Sequence, residues 1–282
     1  MSLRNHTIYQ HSRIKEILNY CHFNTCVLID IDDTIATQAL GDPWFVTLMG
    51  EACRRAPGKE TTELVIAIYH AVQRVTQMQM IERDMGYIIQ ALQDIGVPVI
   101  ALTSRGIPIV QSTLNQLHGI GVDFDRQWGR QQINLTIDGK SGLTTFKDGI
   151  IFCTGNDKGK CLSAFLNSIQ YFPQHVLMVD DKETHLQSVQ KTVLAYGGQF
   201  EGVRYGQMDK AVKQFDFAAA QKQLEKIKNK FPINDQKALE KVNNILASKA
   251  PDTFFKATAA DVKTASDQVP SVQSMTENKV KM

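Results

Sequence analysis

Two acidic residues lie two positions apart at the end of a short apolar run near the start of the chain. The run Thr25–Ile31 contains Asp30 near its end and is followed by Asp32. Its β-branched, apolar composition is typical of a buried parallel strand. Two carboxylates at this spacing can divide the work of phosphoryl transfer, because one attacks phosphorus while the other donates and later withdraws a proton. Acids at strand ends are often only hydrated, so the pair alone does not decide between these interpretations.

Further polar residues follow, in order, at three predicted strand or helix ends. Thr103 ends an apolar run, and its hydroxyl and backbone N–H can bind a phosphoryl oxygen. Lys158 opens a predicted helix, where its ammonium can neutralise both an attacking carboxylate and a phosphate. Asp180 and Asp181 end another apolar run, and their oxygens are hard ligands suited to Mg²⁺. Because ligands of parallel α/β sheets bind beyond the carboxyl ends of the strands, we expect these groups to meet there.

In this order the motifs resemble those of the haloacid dehalogenase-like superfamily of phosphotransferases. The resemblance covers roughly residues 22–205 and rests on these positions: Asp30 and Asp32 with Thr34, then Thr103, Lys158 and Asp180/Asp181. It implies that Asp30 is the nucleophile and Asp32 the general acid/base. It also implies phosphate binding by Thr103, Ser104 and Lys158. Mg²⁺ would be held by Asp30, the backbone carbonyl of Asp32 and Asp180, with Asp181 acting directly or through water.

The identity of the second acid separates the reactions of this superfamily. Its dehalogenating members lack an acid two residues after the nucleophile, and its ion pumps carry threonine there, so Asp32 favours a phosphatase. A response-regulator receiver also combines acids, threonine and lysine, but its lysine comes last. Here Lys158 precedes Asp180 and Asp181. The resemblance therefore predicts a magnesium-dependent phosphomonoester hydrolase that forms an aspartyl-phosphate.

The elements that position these residues alternate between strand and helix. Short apolar runs predict strands at 25–31, 98–103, 120–125, 175–179 and 200–205, and two more within 143–153 that join at Lys147-Asp148-Gly149. Helical periodicity predicts helices at 9–21, 42–52, 60–80, 82–95, 107–117, 157–169 and 182–194. This alternation predicts an α/β fold with a Rossmann-like, doubly wound parallel sheet.

The chain is predicted to have three parts. Residues 1–206 form the core, and the helical insert 38–80 is, by the family resemblance, a small cap that selects substrates. Residues 207–249 carry two apolar stripes at helical spacing and predict a helical extension. Residues 250–282 are polar and predict a flexible tail, because so few apolar groups cannot offset the entropy of ordering the chain.

Composition limits the partners and the compartment. Lys+Arg 31 against Asp+Glu 29 gives a formal charge of +2, so no overall field favours nucleic acid or a membrane surface. No apolar run approaches the ~20 residues of a membrane span, and Met1–Thr7 lacks the apolar core of a signal peptide. Five unevenly spaced cysteines predict reduced thiols and a cytoplasmic location. The expected substrate is a phosphorylated small molecule or a phosphoprotein.

Two segments resemble a branch of the superfamily known from intracellular bacteria. They are FKDGIIF at 146–152 and GNDKG at 155–159. Some phosphatases of such bacteria are secreted into host cells and act on phosphotyrosine, so phosphotyrosine substrates and export into a host stay open. The alternative function is an effector or binding module whose C-terminal helices recruit a host partner or a membrane.

Two single residues and one group of three have two interpretations each. Arg105 either clamps phosphate or lies on the surface, and His185 either faces the site or is a hydrated helix residue. Cys21, His22 and Cys26 have the residue types of a metal knuckle, but no second Cys/His pair nearby completes four ligands. We therefore expect these three to be packing residues.

Overall fold

The computed structural model describes residues 7–22 and 24–248, with the side chains of residues 140–142 left out. Within these residues the strands are β1 (Thr7–His11), β2 (Thr25–Ile29), β3 (Ala36–Thr37), β4 (Gln79–Met80), β5 (Val99–Thr103), β6 (Gln132–Ile137), β7 (Lys140–Lys147), β8 (Ile150–Phe152), β9 (His175–Asp180) and β10 (Gln199–Tyr205).

Helices occupy most of the remaining described chain. They are α1 (Asp42–Arg55), α2 (Lys59–Val75), α3 (Met85–Asp94), α4 (Val110–Gly119), α5 (Asp125–Trp128), α6 (Lys158–Ile169), α7 (Glu183–Ala195), α8 (Asp209–Lys213), α9 (Phe217–Ile227) and α10 (Ile233–Ala247). Short 3₁₀ helices span Ile14–Tyr20, Ile107–Ile109 and Lys228–Lys230.

The main sheet has eight strands in the order β1-β10-β9-β2-β5-β8-β7-β6. The strands from β1 to β8 in this order pair in parallel, and β7 and β6 add an antiparallel edge. After β2 the chain adds β5 and then β8 on one side of β2. It then crosses back and adds β9 on the other side of β2. The order therefore reverses at β2, next to β9. This confirms the predicted α/β fold with a mostly parallel, Rossmann-like sheet.

Helices cover both faces of this sheet because successive strand residues point to opposite sides. On β2, Val27 and Ile29 pack in one apolar cluster with residues of α3 and α4. Cys26 and Leu28 pack in a second cluster with residues of α6 and α7. Burial on both faces explains why the central strands read as continuous apolar runs.

The predicted hairpin within 143–153 is confirmed as β7 and β8. Asp148 and Gly149 both have positive φ, 49° and 83°, which is the backbone conformation that a two-residue hairpin turn requires. A side chain at Gly149 would also collide with the backbone of Phe124, since a Cβ there would lie 2.2 Å from its carbonyl oxygen.

Three predicted elements differ in the structure, namely the helices at 9–21 and 60–80 and the strand at 120–125. The second of these helices ends at Val75, and Gln79–Met80 form β4. Residues 9–21 are not one helix, because Thr7–His11 pair with β10 as an edge strand and only Ile14–Tyr20 are helical. The buried Ile14 and Ile17 produced the helical spacing. Residues 120–125 form no strand, and β6, which was not predicted, pairs with β7 instead.

The described chain divides into two compact units. One contains residues 7–37 and 78–213, and the other contains 38–77 and 214–248. The prediction treated the insert and the C-terminal extension as separate parts, whereas the second unit combines residues 38–77 of the insert with residues 214–248 of the extension. The predicted tail, 250–282, lies outside the described residues.

In the second unit, α9 and α10 pack against α1 and α2. The indole Nε1 of Trp44 donates to Gln221 Oε1 at 3.1 Å, and Arg74 pairs with Asp235 at 3.1 Å. The apolar stripes of the extension supply the buried residues Ala220, Leu224, Leu239 and Val242. These stripes therefore form part of this unit's core.

None of the helices in the described part of the chain combines the length and the apolar character needed to span a membrane.

Candidate active site

Three ionisable residues meet at the carboxyl edge of the sheet, where the strand order reverses. Asp30 follows β2, Asp180 is the last residue of β9, and Lys158 is the first residue of α6. The backbone N–H of Asp30 donates to Val179 on the adjacent strand at 2.9 Å, which fixes the two strand ends side by side. This is the position at which α/β sheets bind their ligands.

Lys158 forms a buried ion pair with each of the two carboxylates. Its Nζ lies 2.6 Å from Asp30 Oδ1 and 2.7 Å from Asp180 Oδ2. The exposed fractions of these side chains are only 1% for Lys158, 6% for Asp30 and 0% for Asp180. Such burial is tolerable for charged groups only because each is paired.

The start of α6 is fixed locally by its N-cap. The carboxylate of Asp157 accepts a hydrogen bond from the backbone N–H of Lys160 at 2.9 Å, as helix N-caps do. Gly159 then allows α6 to approach α7 closely, because a Cβ there would lie 2.5 Å from the carbonyl oxygen of Ser188. These contacts set the direction in which the Lys158 side chain leaves the helix.

Asp180 is held on its other side as well. Its Oδ1 accepts from the backbone N–H of Lys182 at 2.8 Å and lies 3.0 Å from His185 Nδ1. A carboxylate oxygen can only accept, so His185 carries its proton on Nδ1 in this contact. Of the two interpretations of His185, the structure supports the one in which it faces the site.

Burial and pairing act on the pKa values of this group in different directions. Burial raises the pKa of Asp30 to about 7, although Lys158 opposes the shift. Burial also disfavours ionised Asp180, but Lys158 and then His185 hold its pKa below the ordinary value. Burial lowers the pKa of His185, with Lys158 acting in the same direction, so the ring is neutral near pH 7.

The charges of this group do not cancel when both carboxylates are ionised. The two carboxylates of Asp30 and Asp180 face one ammonium, and the neutral His185 adds no charge. One negative charge is then left in a buried position, which is unfavourable without a further cation. Oxygen atoms of Asp30 and Asp180 and a ring nitrogen of His185 lie within 4.8 Å of one another. Carboxylate oxygens suit Mg²⁺, so this donor set fits the predicted ion.

Asp32 forms a second ion pair, with the buried Arg105. Arg105 Nε donates to Asp32 Oδ2 and Nη2 donates to Asp32 Oδ1, both at 2.8 Å. Arg105 Nη1 also donates to Thr113 Oγ1 at 3.1 Å and to Gln116 Oε1 at 2.7 Å. Arg105 is only 2% exposed, so the interpretation as a surface residue is wrong, whereas the phosphate clamp stays a prediction. The planar guanidinium of Arg105 donates to both oxygens of Asp32 and so fixes the orientation of this carboxylate.

The remaining predicted residues lie along the same edge. Thr103 ends β5 and is fully buried, and its Oγ1 accepts from the backbone N–H of Arg105 at 3.1 Å. Ser104 follows it and is exposed. Thr34 is also fully buried, and its hydroxyl has no hydrogen-bond partner among the described residues. Asp181 is not one of the three residues whose ligand atoms converge in the described site.

A family model described as "Protein of unknown function (DUF2608)" matches residues 10–242. The chain belongs to this family. No curated protein matches it. In this DUF2608 chain the matched range includes Asp30, Asp32, Lys158 and Asp180, so the buried ion pairs lie within the part that defines the family.

Two residues of the DUF2608 site were not assigned from the sequence. Arg105 is separated from Asp32 by many residues and meets it only through the pairing of β2 with β5. His185 lies in the first turn of α7, five residues after Asp180. That spacing is the only sequence signal for it, because it allows a helical residue to reach back to the end of the preceding strand.

Proposed function

We propose that this chain is a magnesium-dependent phosphomonoester hydrolase of the haloacid dehalogenase-like type, with Asp30 as the nucleophile. One observation carries the proposal: a buried aspartate, a buried lysine and a second buried aspartate lie in direct contact at the reversal point of a parallel sheet. A buried carboxylate with a raised pKa beside a specific charge partner is typical of a functional site.

In the first step, an oxygen of Asp30 attacks phosphorus and the bond from phosphorus to the leaving oxygen breaks. Lys158 favours the ionised form of Asp30, which is the form that attacks, and it neutralises charge on the phosphoryl oxygens. Asp32 gives its proton to the leaving oxygen. The product of this step is the alcohol and an aspartyl-phosphate on Asp30.

In the second step, water attacks the phosphorus of the aspartyl-phosphate. Asp32 takes the proton from the water, the bond between Asp30 and phosphorus breaks, and inorganic phosphate leaves. Arg105 is a positioning residue for Asp32 in this scheme. It donates one hydrogen bond to each oxygen of the carboxylate, and each oxygen keeps a second lone pair on which Asp32 can carry the proton.

Magnesium would be held by Asp30 and Asp180, with the backbone carbonyl of Asp32 and with Asp181 directly or through water. When bound, the ion supplies positive charge that stabilises the phosphoryl oxygens and compensates the excess negative charge of the site. His185, in contact with Asp180, adds a nitrogen donor or orients this carboxylate.

The proposed substrate is a phosphorylated small molecule or a phosphoprotein, including phosphotyrosine. The effector or binding-module alternative rests on the C-terminal helices. Their apolar stripes are buried within the second unit, so a partner would have to bind other faces of α9 and α10. No structural observation therefore favours that alternative over hydrolysis.

The test is phosphate release from phosphotyrosine peptides, nucleotides and sugar phosphates, with and without Mg²⁺. We expect release from at least one class that depends on Mg²⁺ and is lost in Asp30→Asn. Asp94→Asn is the matched control, since Asp94 forms an exposed ion pair with Arg126 at 3.0 Å. Absence of release from every class, or full activity of Asp30→Asn, would contradict the proposal.

A further inference from the structure

We propose that the chain carries a second metal site, for a zinc-type ion, formed by His22, His175 and Glu201 at the opposite edge of the sheet. One ligand atom from each residue lies within 4.8 Å of the other two. His175 is the first residue of β9 and Asp180 is the last. At about 3.3 Å per residue, the two sites are roughly 16 Å apart along this strand.

The orientation of His175 is fixed by a buried hydroxyl. Its Nδ1 lies 2.7 Å from Thr25 Oγ1, and the same oxygen accepts the backbone N–H of His22 at 2.7 Å. Thr25 is fully buried, so its hydroxyl links the ring of His175 to the backbone of His22 beside the start of β2. Metal-ligating histidines commonly donate one ring N–H to such an oxygen and bind the ion through the other nitrogen.

The other nitrogen of His175 faces the acidic ligand. His175 Nε2 lies 3.0 Å from Glu201 Oε2, and the rings of His22 and His175 are 5.1 Å apart between centroids. Two imidazole groups and one carboxylate therefore converge from three separate segments of the first unit.

This donor set differs from that of the catalytic edge. Two nitrogen ligands and one carboxylate suit Zn²⁺ and similar ions, whereas Mg²⁺ prefers oxygen ligands. His22 is exposed, and with Tyr196 and Gln199 it lines a cleft of about 570 Å³. The three protein ligands leave a fourth position that water or a small ligand can fill from this cleft.

The sequence expectation for His22 is changed by this arrangement. Cys26, one of its suggested partners, is 1% exposed and packs in an apolar cluster of the sheet. The partners in the structure, His175 and Glu201, lie more than one hundred residues further along the chain. They are brought to His22 by the parallel pairing of β2, β9 and β10.

The test is a zinc titration of the full chain in a buffer that is saturated with Mg²⁺. We expect one equivalent of Zn²⁺ to bind and to raise the melting temperature. His22→Ala and Glu201→Gln should each weaken zinc binding by ~10- to 100-fold or more. His118→Ala is the matched control, since His118 is an exposed histidine on α4, and it should bind zinc like the unmodified chain.

Asp180→Asn separates this site from the catalytic edge, because it removes a ligand there and should leave the zinc equivalent intact. The inference would be overturned if the unmodified chain failed to bind one equivalent of Zn²⁺ or if His22→Ala bound zinc with wild-type affinity. Loss of zinc binding only in Asp180→Asn would also overturn it. The proposed hydrolase activity is not needed for it. His22→Ala should release phosphate at the unmodified rate, and zinc binding by an inactive chain would still support the site.

Discussion

Replacing Lys158 by methionine removes the ammonium group that two buried carboxylates share. Methionine keeps much of the length and volume of the side chain, so the change acts mainly on charge. Asp30 and Asp180 would then face each other with exposed fractions of 6% and 0% and without the cation that lies 2.6 and 2.7 Å from their oxygens.

The loss follows from these distances and from the burial. At an effective dielectric constant of about 20, two opposite charges ~2.7 Å apart attract by roughly 6 kcal/mol. Desolvation of the groups offsets most of this, and removal of one partner of a buried ion pair typically costs about 3–5 kcal/mol. We therefore expect the unfolding free energy of the first unit to fall by this amount. Phosphate release should fall by about 10²–10³-fold, because a preorganised charge at the reacting group is lost.

Tryptophan fluorescence can follow the unfolding of one unit separately. The chain has two tryptophans, Trp44 in the second unit and Trp128 in the first. In a Trp44→Phe background, urea unfolding monitored at Trp128 reports the first unit. Trp128 packs edge-on against Phe165 of α6, with ring centroids 5.8 Å apart, so its signal comes from the helix that carries Lys158.

Lys160→Met is the control on the same turn of α6. Lys160 Nζ lies 2.8 Å from Asp138, a distance close to those of Lys158, but the two side chains are 57% and 66% exposed. Solvent screens such a pair, so we expect no measurable change in stability or activity. The reasoning is refuted if the two variants unfold at the same urea concentration, or if Lys158→Met retains phosphate release.

Two other perturbations test packing and pH dependence. Gly159→Ala should destabilise the protein by about 1–3 kcal/mol, because the new Cβ would overlap the backbone of Ser188. Gly50→Ala, where a Cβ would have no atom within 4 Å, should instead stabilise α1 by about 0.5–1 kcal/mol. Thermal melts compare the two variants, and equal shifts in melting temperature would contradict the packing argument. Burial and then Arg74 lower the pKa of His70 to about 4. The unfolded chain takes up this proton near pH 6.5, so stability should fall by up to ~3 kcal/mol between pH 6.5 and 4. In His70→Gln, the melting temperature should therefore fall less steeply as the pH is lowered. A pH dependence as steep as that of the unmodified chain would contradict this prediction.

The fold could be predicted where strands are buried on both faces. The runs that became β2, β5 and β9 are continuous and apolar, and each ends in a polar residue or is followed by one. An edge strand lacks the continuous apolar run, because only part of it is buried. β1 is half-buried, and the sequence prediction assigned it to a helix. In β6 the alternation of Ile133, Leu135 and Ile137 was a usable signal for a strand.

The site could be predicted only in part, for a physical reason. Asp30, Lys158 and Asp180 each end or begin an element, so the topology of a parallel sheet brings them together. The pairing of Arg105 with Asp32 depends on side-chain directions around β5 and α4, which spacing along the chain does not fix. The contact between His22 and His175 likewise depends on the pairing of β2 with β9, two strands that are far apart along the chain.

The central claim is that phosphate passes through a covalent bond to Asp30. Borohydride reduces an acyl phosphate to an alcohol, so the chain is mixed with a hydrolysed substrate and Mg²⁺, quenched with borohydride and digested. Mass spectrometry should find homoserine at position 30, absent without substrate and in Asp30→Asn. Active turnover with an unmodified Asp30, or with the label on another carboxylate, would contradict the account.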